Sequence, residues 1–306
     1  MKALLSEVFY WLLSMSVSAS IAGIIILFMS RIRRIPHRML SALWGIPFLR
    51  MWIPIAVNSP YSVLTLLSGT EQKTVIVYQS AVNFSMTNFV RAAEDYFPVM
   101  YKTSLLENTF QIAAVVWFAV SAALLAAMCI AYALASAQLK NARHLRDHIY
   151  LSDRIASPVT YGLIRGRIFM PEQYEGSDMK YILLHENAHI RRKDNLRRIA
   201  GITTACVHWF NPLSWLFLKK FLESLELACD EAALKQCGEA EKKNYASALL
   251  NCAESKALYA SSFGGAKTKL RIERILSYKK LSVFSAAGLM VLAVLIGLAL
   301  LTNAAA

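Results

Sequence analysis

Long apolar runs alternate with short charged clusters along the first 140 residues. Residues 8–29 carry no charge, 39–57 hold only Arg50 besides Pro47 and Pro54, and 110–135 are again uncharged. A fourth uncharged run covers 281–301. At about 1.5 Å per residue, each run is long enough to cross a hydrocarbon layer about 30 Å thick. The first is too long for the apolar core of a signal peptide. About four transmembrane helices are therefore expected, with Arg50 snorkelling toward an outer interface. Arg31, Arg33, Arg34 and Arg38 follow the first run, and Lys140, Arg143 and Arg146 follow the third. Lys267, Lys269, Arg271, Arg274, Lys279 and Lys280 precede the fourth. Basic residues collect on the cytoplasmic side, so the N-terminus is expected outside and the region between the third and fourth spans inside.

These patterns divide the chain into a membrane region 1–136 with an outer loop at 58–108, a cytoplasmic domain at 137–280, and a last span with a short outer tail at 281–306. The predicted fold class is mainly α, a polytopic membrane protein with an α+β domain inserted before the last span. Residues 149–171 change texture, with Gly162 and Gly166 punctuating the β-favouring stretches Val159–Tyr161 and Arg167–Met170. Arg167, Ile168, Phe169 and Met170 are candidates for an edge strand that holds an extended substrate by backbone pairing, with an ordinary hairpin as the alternative. Residues 199–218 are nearly as apolar as a span and are broken by Asn211-Pro212. This segment is expected either to bend and return or to lie shallowly in the inner leaflet.

The candidate chemistry centres on His185-Glu186-Asn187-Ala188-His189. On a helix the two histidines lie one turn apart on one face, so both imidazoles reach a single tetrahedral metal ion. Glu186 is then placed as the general base for a water activated by that ion. A third ligand is expected from Glu226, with Glu223 and Glu231 as spares, and Asp230, four residues after Glu226, can accept the second N–H of a ligand histidine. His208 is a candidate donor to the transition state.

Composition narrows the picture further. The chain has 306 residues, is 56% hydrophobic and carries a formal net charge of +13. Its basic residues flank apolar runs, so topology accounts for the charge and no direct nucleic-acid contact is expected. The five cysteines form no C-x-x-C pair and are expected to be reduced, with Cys229 a packing residue and not a ligand.

Several blocks together resemble the BlaR/MecR-type membrane-embedded zinc metallopeptidases. They are Ser157-Pro158 with Gly162 and Pro171, the run HENAHIRRKDN from His185 to Asn195, His208-Trp209-Phe210-Asn211-Pro212-Leu213, and Glu226 with Cys229-Asp230. The resemblance implies a gluzincin-like domain in a bacterial inner membrane, one Zn2+ on His185, His189 and Glu226, and Glu186 as base. It also implies cleavage of a cytosolic protein substrate, in known members a winged-helix repressor of the BlaI or MecI kind, and self-cleavage before the last span. Two departures are Ser224, where an acidic residue is expected, and Gly166, where proline is common. With no outer penicillin-binding domain after the last span, β-lactam sensing is not expected of this chain. Membrane lipid and a homodimeric copy are further expected partners. The alternatives are a CAAX-processing or HtpX-like membrane protease and a non-catalytic receptor that sequesters a partner.

Overall fold

The computed structural model of the protein describes residues 2–32, 35–53, 58–59, 104–172, 178–238, 240–257, 264–277, 291 and 303–304. Most of the expected outer loop and of the fourth span lies outside these residues. The described chain is mainly helical. Helix α1 is Lys2–Met29, α2 His37–Leu43, α3 Gly45–Trp52, and α4 Ser104–Leu139. After four strands come α5 Asp178–Arg192, α6 Asp194–Val207, α7 Pro212–Cys237, α8 Lys242–Ala257 and α9 Gly264–Leu276.

Among the described residues, two helices are long and apolar enough to cross a membrane, over Leu4–Met29 and Thr109–Leu139. The second presents Ile112, Val115, Val116, Phe118, Ile130 and Leu134 to the outside. Exposed apolar side chains along a whole helix suit lipid and not water. The expected second span forms two short helices divided at Trp44, and α3 packs along α1. Ile46, Pro47, Arg50 and Met51 make its buried stripe, so Arg50, 2% exposed, does not snorkel as expected. Its place on the face that meets the rest of the protein is the reason.

The apolar segment 199–218 forms the end of one helix and the start of the next. It turns at His208–Asn211. Asn211 caps α7, accepting from the Leu213 amide at 2.9 Å, and Pro212 occupies the first turn, where its missing N–H costs nothing. The Asn211 amide donates to Ser16 and Ser20 of α1 at 2.7 and 2.8 Å, and Trp117 of α4 donates to the Val207 carbonyl at 2.8 Å. The turn is thus fixed against the middle of α1 and α4. The α6–α7 hairpin then brings Glu226 back beside α5. A core of Trp44, Phe48, Phe217, Phe221 and Leu225 joins α2, α3 and α7.

Strands β2 Arg143–Arg146, β3 Ile149–Ser152, β4 Val159–Tyr161 and β5 Arg167–Pro171 form one sheet in the order β2-β3-β5-β4. A separate two-residue parallel bridge pairs β1, Asn58–Ser59, with β6, Asn303–Ala304. β5 runs parallel to β3 and antiparallel to β4. This corrects one expectation: Arg167, Ile168, Phe169 and Met170 are not an edge strand. Both sides of β5 are already paired, and Ile168, Phe169 and Met170 are buried, so no substrate can add there. The edge strand nearest α5 is β4.

Candidate metal centre

Helix α5 buries Tyr181, Ile182 and Ala188 and so fixes the face that carries His185 and His189, which are 5% and 4% exposed. Their rings lie 4.8 Å apart, nearly perpendicular. Glu226 comes in from α7, with Oε2 3.6 Å from His185 Nε2 and Oε1 3.7 Å from His189 Nε2. The three ligand atoms all lie within 4.8 Å of one another. Atoms bound about 2.0–2.1 Å from one tetrahedral ion stand about 3.4 Å apart, so the trio fits a metal ion and is too widely spaced for direct hydrogen bonds. Burial of Glu226 pushes its pKa up, but the two histidines and Arg198 outweigh this and hold it well below the usual range, so it is an anionic candidate ligand.

Each histidine is oriented from behind. His185 Nδ1 lies 3.1 Å from Asp230 Oδ1 and 3.0 Å from the Tyr245 hydroxyl, which itself donates to Asp230 at 2.9 Å. His189 Nδ1 lies 3.0 Å from Asp194 Oδ2. A neutral imidazole that donates its Nδ1–H to such a carboxylate keeps the Nε2 lone pair for a metal. The structure places Asp230, the expected partner of a ligand histidine, beside His185 Nδ1, and Asp194, which the sequence did not single out, beside His189 Nδ1.

Asp194 reaches His189 because Lys193 is left-handed, with φ +53°, which ends α5 and starts α6 one residue later. Asp194 is fully buried, and burial alone would raise its pKa. Hydrogen bonds from His189 and Cys229 and the Arg192 guanidinium bring it instead to about 2. Cys229 Sγ lies 3.0 Å from Asp194 Oδ2 and 3.1 Å from His189 Nδ1. Burial and the Asp194 carboxylate push that thiol up, and it donates to Asp194; with His189 and Asp194 it forms a second group that could hold a metal.

Glu186 is 9% exposed and turned toward the sheet. The Thr160 hydroxyl of β4 donates to its Oε2 at 2.7 Å, and Asn195 donates to the Thr160 and Gly162 carbonyls at 2.9 and 3.2 Å. Beside His189 a shallow depression is lined by Gly162, Leu163, Ile164, Gly166, Ile190 and Lys193. His208 is not part of this constellation. It sits at the far end of α6, a helix of 14 residues and about 21 Å, from Asp194, and its ring is wholly buried against Phe210. The expected transition-state donor is corrected accordingly: the hairpin that returns Glu226 carries His208 away.

Residues 10–276 match the sequence profile of the family described as BlaR1 peptidase M56. The chain belongs to this family. Among curated relatives, the regulatory protein BlaR1 of Bacillus licheniformis is 32% identical over 149 residues, 45% of this chain and 25% of the relative. BlaR1 of Staphylococcus aureus is 28% identical over 138 residues, 42% of this chain and 23% of that protein. The methicillin resistance mecR1 protein of Staphylococcus aureus (strain Mu50 / ATCC 700699) is 25% identical over 123 residues, 38% and 21% of the two chains. The matched part thus spans a fifth to a quarter of these relatives' length. Family membership and two apolar helices among the described residues are consistent with a membrane peptidase, and the chain has residues that could hold a metal.

Proposed function

We propose that the chain is a zinc endopeptidase embedded in the bacterial inner membrane that cuts a cytosolic regulatory protein, a winged-helix repressor of the BlaI or MecI kind, and cuts itself. The observation that carries this is the meeting of two imidazole Nε2 atoms and one carboxylate at 3.6 and 3.7 Å, each imidazole backed by a buried aspartate. His185, His189 and Glu226 hold the ion. With zinc bound there, the site gains Lewis-acid polarisation of a peptide carbonyl and a water acidic enough to ionise near neutral pH. Glu186, steadied by Thr160, takes the proton of the attacking water and passes it to the nitrogen that leaves as an amine. The depression beside His189 is where substrate side chains lie.

In the proposed topology four spans at about 8–29, 39–57, 110–135 and 281–301 leave the N-terminus outside and the metal centre in the cytoplasm. The parallel bridge between Asn58–Ser59 and Asn303–Ala304 supports one shared side for the residues after the second and fourth spans. Glu186→Gln in the full chain is expected to retain zinc and lose cleavage of a co-expressed repressor, whereas His189→Ala loses both. Cleavage by the Glu186→Gln protein would rule the mechanism out.

A further inference from the structure

The carboxylate behind His185 is itself gripped from a third helix. Arg271 stands on α9, and its Nε donates to Asp230 Oδ2 and its Nη2 to Oδ1, both at 2.8 Å. The same Nη2 lies 3.2 Å from His185 Nε2, and Nη1 lies 3.8 Å from Glu226 Oε2. α9 is seated by Ile275, which packs with Tyr181 and Tyr245. A planar guanidinium that binds both oxygens fixes the plane of the carboxylate, and that plane sets the orientation of the ligand histidine. Asp230 is 2% exposed, so without Arg271 it would be a buried charge without its main counter-ion. The His185 Nε2 lone pair serves either Arg271 or a metal, while the grip on Asp230 is compatible with both.

We propose that Arg271 is a positioning residue through which α9 completes the metal centre, so that docking of α9 and binding of the metal form one linked equilibrium. The inference rests on the metal site described above. Anything that displaces α9 then weakens metal binding, and metal loss loosens α9 by the same factor. Because α9 is the last described helix before the expected fourth span, the site senses the segment that leads to that span.

The test uses the full chain in lipid nanodiscs, with zinc affinity measured by chelator competition and amide exchange followed over 264–277. Arg271→Met is expected to bind zinc about 10–100-fold more weakly. Arg271→Lys recovers part of this, because lysine brings the charge without the fork. Asp230→Asn combined with Arg271→Met removes both charges, restores thermal stability lost by the single variant, and leaves zinc affinity low. In the wild type, chelation speeds exchange in α9; in Arg271→Met exchange is fast with or without zinc. Wild-type zinc affinity in Arg271→Met, or α9 exchange indifferent to chelation in the wild type, overturns the proposal. Undiminished zinc binding by His189→Ala would instead strike the metal site itself.

Discussion

Thr160 joins the sheet to the proposed chemistry. Its single hydroxyl proton has two acceptors within reach, the Glu186 carboxylate at 2.7 Å and the Glu186 carbonyl at 3.3 Å, and the charged, closer one wins. Thr160→Val keeps the shape and removes the donor, leaving Glu186 free to rotate. A hydrogen bond to a charged group contributes about 1.5–3 kcal/mol, so kcat is expected to fall at least about tenfold while zinc affinity stays unchanged and Thr160→Ser remains close to wild type. Equal kcat in Thr160→Val would show that Glu186 is fixed by something else. At this scale the sequence is legible where helical periodicity dictates neighbours: His185 with His189, and Glu226 with Asp230. Asp194 was hidden because a helical extrapolation from His189 sends it to another face, and only the left-handed Lys193 turns it back. Tyr245 and Arg271 lie 60 and 86 residues from His185, and no local pattern announces them.

Among the elements, α1 and α7 cross closely at Gly23. A Cβ added at Gly23 would lie 2.1 Å from Phe217 Cε2, and Phe217 is fully buried. Only glycine lets the helices approach so closely with that ring between them. Gly23→Val therefore has to push α7 off α1, at an overpacking cost of about 1–3 kcal/mol. A lowered unfolding temperature is expected in detergent, partly recovered when Phe217→Ala is added; independent, additive losses would mean that the ring does not set the spacing. The long apolar helices were legible because an uncharged run has few alternative fates. The order of the strands was harder. Ile168-Phe169-Met170 is a continuous apolar run, which suits a strand covered on both faces, whereas a half-exposed edge would alternate. That signal pointed inward, but which strands flank β5 depends on pairings between residues distant in sequence. The direction of the α6–α7 hairpin is likewise set by Asn211 meeting Ser16 and Ser20, a contact no periodicity encodes.

Across the molecule, the candidate metal centre is a junction. Its proposed ligands come from α5 and α7, the residues behind them from α6, α8 and α9, and two polar links tie it to α2. Glu231, next to Asp230, accepts from the His37 and Arg38 amides at 2.8 and 3.1 Å, capping the start of α2. Arg192 and Arg197, both paired with Asp194, donate to the Ser41 hydroxyl and carbonyl at 3.1 and 2.6 Å. An ion that binds only the folded arrangement therefore stabilises the assembly of all these helices, by about 2.7 kcal/mol when free metal is one hundred times its dissociation constant. Chelation should lower the unfolding temperature of the whole chain and speed amide exchange over 37–43 as well as in α5 and α7. Glu186→Gln, which keeps the three ligands, should show the same shift, and His189→Ala should show none. If chelation changed exchange in α5 and α7 while α2 stayed as protected as before, the polar links through Asp194 and Glu231 would be mere neighbours of the site and would carry no coupling between α2 and the metal.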